Sequence, residues 1–232
     1  VSGPAAERVL NLVVQYEYLP AGEVDEASFG GRVEGWVTDD IRLGVTGLSD
    51  ETGSGRQTSV GADIRLEFGA ASFLTAEGAQ SDGPGFGRSS STDGGLSLVN
   101  TGPGMATTAM AFEARIGLDF GDLGLAMDGR LEAYAQIREA GFETISEDTP
   151  DDQELYGLSL EAGLTERLTF GADVEHFSED GGEEFTEGEI RLDYAIDEMW
   201  TVTGALAMLD RDDPADPDRT GTRTDAALRL TY

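Results

Sequence analysis

Cysteine is absent from the 232 residues, which excludes a disulfide framework and any thiolate-held metal. Lysine is absent as well: all 15 basic residues are arginine, set against 46 acidic ones for a net charge of −31. Such a polyanion repels phosphate backbones, so no nucleic-acid partner is expected. Guanidinium forks satisfy neighbouring carboxylates better than ammonium does, which suits a surface crowded with acids. Histidine occurs once, as His176. No stretch approaches the roughly 18 apolar residues of a membrane-crossing helix. Val1 is not an initiator Met and no secretory leader follows it, so a mature or trimmed form is expected and export is not legible directly. The hydrophobic fraction of 39% and the mean hydropathy of −0.27 are those of an ordinary soluble chain. They also fit a membrane barrel, in which only alternate residues face lipid.

What the chain does have is a two-residue period. From Met110 to Phe120 the even positions read Met, Phe, Ala, Ile, Leu, Phe, and the odd ones carry Glu113, Arg115 and Asp119. From Leu123 to Ile137 the odd positions are apolar or small, and Asp128, Arg130, Glu132, Tyr134 and Gln136 lie between them. That period means β-strand. Strands of about 9–11 residues at a tilt near 45° span a bilayer, and several here exceed the 5–6 residues usual in soluble sheets. The alternation predicts an all-β, antiparallel, up-and-down transmembrane barrel in one domain over 1–232. Twelve strands are expected, at 8–19, 27–38, 41–49, 58–68, 72–80, 107–120, 123–138, 154–165, 168–178, 185–196, 200–209 and 220–232. Short turns join them at one end and long polar loops at the other (20–26, 50–57, 81–106, 139–153, 179–184 and 210–219). That is the layout of periplasmic turns and extracellular loops, with both termini periplasmic. The longest loop, 81–106, is expected to fold partly into the lumen.

Charge follows the same parity. Arg32, Arg42, Arg65, Arg115, Arg130, Arg138, Arg191, Arg223 and Arg229 point inward, and no Arg falls mid-strand on the lipid face, where it would cost roughly 2–4 kcal/mol. Sixteen acids share that inward parity, among them Glu113, Asp128, Glu132, Asp173, Glu175 and Glu189, and with the nine arginines they form an expected lumen ladder in which acids outnumber bases, a bias toward cations if water passes. Aromatics of outward parity group at two levels. Phe68, Phe120, Phe170, Tyr194, Trp200 and Tyr232 lie beside short turns, and Tyr16, Tyr18, Phe29, Phe112 and Tyr156 lie toward the long loops. Two such rings are the interfacial girdles of a membrane barrel. Trp36 points inward, against this rule.

Three hairpins read VTDDIRLGV, GLTERLTFGAD and YAIDEMWTVTGAL, and the chain ends Asp225-Ala226-Ala227-Leu228-Arg229-Leu230-Thr231-Tyr232. This ending resembles the assembly signal of Gram-negative outer-membrane β-barrels, with Ala227 where that pattern usually has Gly. The hairpins are similar to C-terminal barrel regions of large α-proteobacterial surface proteins. The resemblance implies a place in the bacterial outer membrane, with lipid, lipopolysaccharide, the barrel-assembly machinery and envelope or surface proteins as partners. It identifies an architecture and not an activity.

Little points to catalysis. His176 has Glu175 and Ser178 nearby, but its parity is outward and no Ser-His-Asp constellation accompanies it, so no enzyme and no cofactor are expected. Asp210, Asp212, Asp213, Asp216 and Asp218 offer oxygen ligands for a weakly held Ca²⁺, although the spacing matches no EF-hand. The expected function is a passive, weakly cation-preferring, porin-like channel or the membrane anchor of a larger assembly. The alternatives are a barrel enzyme of lipase or protease type and a soluble acidic β-protein of a salt-adapted organism.

Overall fold

The computed structural model describes residues 28–51, 56–85, 88–90, 99–101, 107–144 and 149–232. Its strands are β1 (Ser28–Trp36), β2 (Ile41–Asp50), β3 (Gln57–Glu67), β4 (Phe73–Gly83), β5 (Arg88–Ser90), β6 (Val99–Thr101), β7 (Thr107–Asp119), β8 (Gly129–Arg138), β9 (Gln153–Thr165), β10 (Leu168–Glu179), β11 (Glu184–Ala195), β12 (Thr201–Asp212) and β13 (Gly221–Thr231). Eleven of them form one antiparallel up-and-down sheet in the order β1-β2-β3-β4-β7-β8-β9-β10-β11-β12-β13, while β5 and β6 pair only with each other. The one helical element among the described residues is a 3-10 turn, Pro217–Arg219.

The sheet is open, which departs from the closed barrel expected. β1 and β13 make no contact with each other. Ten reversals leave these two edges running in the same direction, so they have no antiparallel way to meet. The strand expected at 8–19, with Tyr16 and Tyr18, lies outside the described residues. Further differences follow, the first two with local causes. The run 123–138 divides, because Gly124 takes φ +73° and the Leu123 amide donates back to the Asp119 carbonyl at 3.3 Å. Strand β8 therefore starts at Gly129, and Asp128 precedes the ladder instead of forming a rung of it. The polar stretch 179–184 is a tight turn with Gly181 at φ +67°, not a long loop. Finally, β5 and β6 form a small hairpin within 81–106, and β12 runs on to include Arg211.

Register places the two faces as the parity requires. One face carries Val33, Val45, Val60, Phe112, Ile190, Leu206 and Leu228, all exposed; Leu228 retains 82% of its accessible surface. The buried apolar side chains among the described residues are only Ala109, Phe142 and Ala162. The apolar positions do not follow one hydrogen-bonded row. On β3 they run from Val60 to Leu66, and on β12 from Val202 to Met208. Leu66 and Met208 share a row, through Leu74, Ile116, Ala133, Leu158, Val174 and Gly188. The bottom of the apolar set on β3 is thus level in register with its top on β12. A slip of six residues over seven strand steps, at about 3.3 Å per residue and 4.8 Å per strand, corresponds to a strand tilt of about 30° if the band lies level. Closed barrels have tilts of 35–45°.

At the short-turn end, one side chain ties two connections together. The Asp122 carboxylate, in the turn after β7, accepts the amides of Ala70 (2.9 Å), Ala71 (2.9 Å) and Ser72 (2.8 Å) in the turn before β4. A Cβ on Gly69 would strike that carboxylate. These bonds, the Ala71 amide foremost, hold the Asp122 pKa down at about 2, from an ordinary 3.8. Because the folded value is depressed, the clamp's contribution is complete above pH 3.8 and is lost as pH falls through about 2. We expect an NMR titration of the Asp122 carboxyl to have its midpoint near 2, and Asp122→Ala to speed amide exchange at 70–72 without affecting β10–β12. A midpoint near 4 contradicts the clamp.

Candidate functional site

The candidate site is the polar face of the sheet, and it is organised by side chains that cross a glycine. On β1, Arg32 passes over Gly44 of β2 to meet Asp63 of β3 at 2.7 Å; a Cβ on Gly44 would overlap this pair. On β11, Arg191 lies over Gly171 of β10, bonds Asp193 at 2.9 Å and reaches Glu161 of β9 at 3.5 Å. On β8, Tyr134 lies across Gly157 of β9, and its hydroxyl donates to Glu175 of β10. On β4, Phe73 lies over Gly117 of β7, where a Cβ would stand 2.6 Å from the ring. That ring carries the Arg65 guanidinium 4.5 Å from its centroid and the Arg130 guanidinium at 5.8 Å.

Most rungs of the expected ladder come together in this lattice. Arg65 pairs with Glu67 at 2.8 Å and Arg130 with Glu132 at 2.6 Å. Arg115 stands 5.4 Å from the Tyr134 ring centroid and 3.9 Å from Glu113, which also accepts from Gln136 at 2.7 Å. Arg229 lies on the same face, in register with Thr203. Beyond the ladder, Arg211 pairs with Glu183 at 2.9 Å and stacks on Phe185, itself 5.4 Å from Phe177. Of these inward aromatics the sequence placed only Tyr134 on the charged face; the signal available for Phe73, as for Tyr134, was the glycine opposite it, Gly117 and Gly157 respectively.

Glu77 on β4 and Asp173, Glu187 and Glu189 on β10 and β11 make no salt bridge or hydrogen bond among the described residues, and Glu77 sits in register between Asp63 and Glu113. Asp173 and Glu189 face each other directly across β10 and β11, and Glu187 faces Glu175 one rung away. Like charges directly opposite repel. Asp173, Glu175, Glu187 and Glu189 line a cavity of about 450 Å³ together with Tyr134, Arg223, Asp225 and apolar neighbours such as Leu158 and Leu209, and Arg223 is held by Asp225 at 2.7 Å. Most paired side chains on this face keep about a quarter to two thirds of their surface, Asp63 at 11% and Arg223 at 72% being the extremes.

The other candidates have local uses. Asp213 accepts the amides of Ala215 and Asp216 and pairs with Arg219 at 3.2 Å; Asp212 and Asp210 accept the hydroxyls of Thr220 and Thr222. Asp216 and Asp218 sit at the Pro217–Arg219 turn. Among the described residues, no group of three or more His, Asp or Glu converges as a metal site. His176 lies on the apolar side, 2.9 Å from the Thr186 hydroxyl and stacked 6.4 Å from Tyr156. On that same side are Phe29, Phe68, Phe112, Phe120, Phe170 and Tyr194, with Trp200 and Tyr232 in ring contact at 4.7 Å. No family profile and no curated protein matches this chain.

The crossing at Gly157 is testable. Gly157→Val drives a branched side chain into the Tyr134 ring and should destabilise by about 1–3 kcal/mol. Tyr134→Ala in the same chain should recover much of that loss. A double-mutant cycle on urea unfolding in detergent measures the coupling, and purely additive effects would show that Tyr134 does not lie across the glycine.

Proposed function

We propose that this chain is a transmembrane β-barrel of the bacterial outer membrane that passes small solutes through a hydrated, cation-preferring lumen. The observation that carries the reading is the exposed apolar face. Monomeric soluble proteins rarely expose contiguous apolar patches beyond a few hundred Å², and this face runs across eleven strands with almost no buried apolar core behind it. Its charged positions sit at the rims: Glu154, Glu184, Asp210 and Asp212 toward the long loops, Glu166, Arg167, Asp197 and Glu198 at the short turns. Between Trp200 and Met208 the band is eight residues tall, or roughly 23 Å at a 30° tilt, close to the 25 Å of a barrel's lipid-facing belt.

Closure to twelve strands follows from edge direction. An antiparallel ring needs an even number, and one strand antiparallel to both β1 and β13 completes it; residues 8–19 have the alternation for that place. Lipid and lipopolysaccharide then cover the outer face, and the assembly machinery reads the Tyr232 terminus. The polar face favours a pore over a bare anchor because its ion pairs remain hydrated.

Leu131→Arg places a charge on the apolar side and should impair folding into vesicles by roughly 2–4 kcal/mol. Gln136→Arg, beside Glu113, should be mild. Equal effects in a lipid refolding titration would reverse the assignment of faces. For ion passage, the acids without arginine partners should dominate. Asp173→Asn with Glu189→Gln should move the reversal potential in a salt gradient toward anions. Glu132→Gln should do less, since Arg130 already neutralises Glu132. Heat-modifiable mobility without any conductance would favour the anchor.

A further inference from the structure

The connection between β7 and β8 is out of proportion to its neighbours. It takes nine residues, 120–128, where the other described connections at the short-turn end take two to five. Its backbone stays close to the sheet. The Phe120 amide donates to the Gly129 carbonyl at 2.9 Å, and the Leu125 amide returns to the Phe120 carbonyl at 2.9 Å. Phe120 itself lies over Gly129, where a Cβ would stand 2.5 Å from its ring. Leu125 is therefore one hydrogen bond from the aromatic level that borders the apolar face. The acids at the start of the turn are tied to backbone. Asp119 accepts the Gly121 amide at 2.9 Å, and Asp122 accepts the three amides of residues 70–72. The apolar side chains are left out: Leu123, Leu125 and Met127 keep 52%, 49% and 37% of their surface. No other described connection at this end carries more than two exposed large apolar side chains. Exposed apolar neighbours flank the turn on both sides. Phe68 stands beside the 70–72 segment that Asp122 clamps, and Leu164 follows Gly163, whose amide donates to the Asp128 carbonyl at 2.8 Å.

We propose that the 120–128 turn is an apolar foot seated in the headgroup–acyl boundary of the leaflet at the short-turn end, with lipid as its partner. The proposal rests on the membrane reading of the apolar face. Continuity argues for lipid: the patch formed by Phe68, Leu123, Leu125, Met127 and Leu164 runs directly into that face at Phe120 and meets the same surroundings. Area argues against a protein partner. Three half-exposed aliphatic side chains supply only a fraction of the roughly 800 Å² that each member of a stable protein pair buries. A membrane interface sets no such minimum, and interfacial segments seat apolar side chains roughly 5–10 Å into the boundary. The turn suits that depth. Asp122 meets three amides, which offset the cost of bringing a carboxylate near hydrocarbon, while Asp128 keeps the far end of the turn among the headgroups.

The test puts one fluorescent reporter on the foot. Leu125→Trp and, in parallel, Met127→Trp are made in a chain carrying Trp36→Phe and Trp200→Phe, and a comparison chain with Trp36→Phe alone keeps Trp200. All are refolded into phosphatidylcholine vesicles and checked for heat-modifiable mobility. The quenchers are bromine on the lipid chains, placed near the headgroup or near the chain end, and iodide in the water. The expected result for either foot reporter is emission to the blue of the urea-unfolded chain, with loss of intensity greater from headgroup-proximal bromine than from distal bromine and little loss from iodide. Iodide quenching as strong as in urea, without bromine quenching, overturns the foot. If Trp200 is still quenched by bromine in that case, the membrane reading stands. Stronger quenching by distal bromine puts the turn inside the acyl layer and overturns the interfacial placement. Folded protein in which neither the foot nor Trp200 is quenched by bromine overturns the membrane reading, and the proposal with it.

Discussion

The side chain that crosses a glycine to bind the strand beyond is the interaction on which the polar face depends. Backbone pairing joins each strand only to its neighbours, and a sheet with almost no apolar core lacks the packing that normally fixes second neighbours. Arg32 over Gly44, Phe73 over Gly117, Tyr134 over Gly157 and Arg191 over Gly171 supply that missing reach. Each glycine weakens its own strand by losing a side chain to pack, and the crossing residue covers the gap. An exposed ion pair contributes about 0–1 kcal/mol by itself. Sharing changes this: Arg32 serves Glu34 and Asp63, and Arg191 serves Asp193 and Glu161. The use of arginine alone follows, since a planar fork with five donors meets two carboxylates at once and an ammonium does so less well.

The two faces place opposite demands on one chain. The apolar side is smooth in chemistry and diagonal in register, because strands that tilt carry each apolar set past the hydrogen-bonded rows of its neighbour. Phe112 and Ile137 belong to the same row as Glu154, Ser178 and Glu184. A row that is apolar at one end and acidic at the other has no use in a sheet packed flat against a second layer. In a tilted wall, its two ends lie at different heights, and the change in polarity falls at the rim of the apolar band.

Much of this was legible in the sequence because a two-residue period survives any error in where a strand ends. The faces of Arg65, Glu113, Arg130, Glu132, Asp173 and Arg191 follow from parity alone. Connections were less legible. Gly124 breaks a run whose apolar alternation, Leu123, Leu125 and Met127, continues unbroken through the turn, so composition extended the strand and displaced Asp128. Conversely, an acidic Gly-Gly stretch at 179–184 suggested a long loop, while cross-strand pairs such as Phe177 with Phe185 extend the ladder almost to Gly181. The partners of charges were legible only in part. Arginine and acid two residues apart on one strand share a face, as Arg130 and Glu132 do at 2.6 Å, whereas only register says that Asp173 faces Glu189.

That distinction divides the polar face in two. From β1 to β8, most acids of this face have an arginine within 4 Å, and Glu77, between Asp63 and Glu113, is an exception. Across β10 and β11, the acids Asp173, Glu187 and Glu189 stand together, with Arg191 committed to Asp193 and Glu161, and Arg223 to Asp225. Such crowding is tolerable only while water screens it, because burying even one unpaired carboxylate costs far more than any contact here returns. The acids without a salt bridge, Glu77 among them, therefore need water beside them. Which acids those are is decided by where the fifteen arginines fall along the chain.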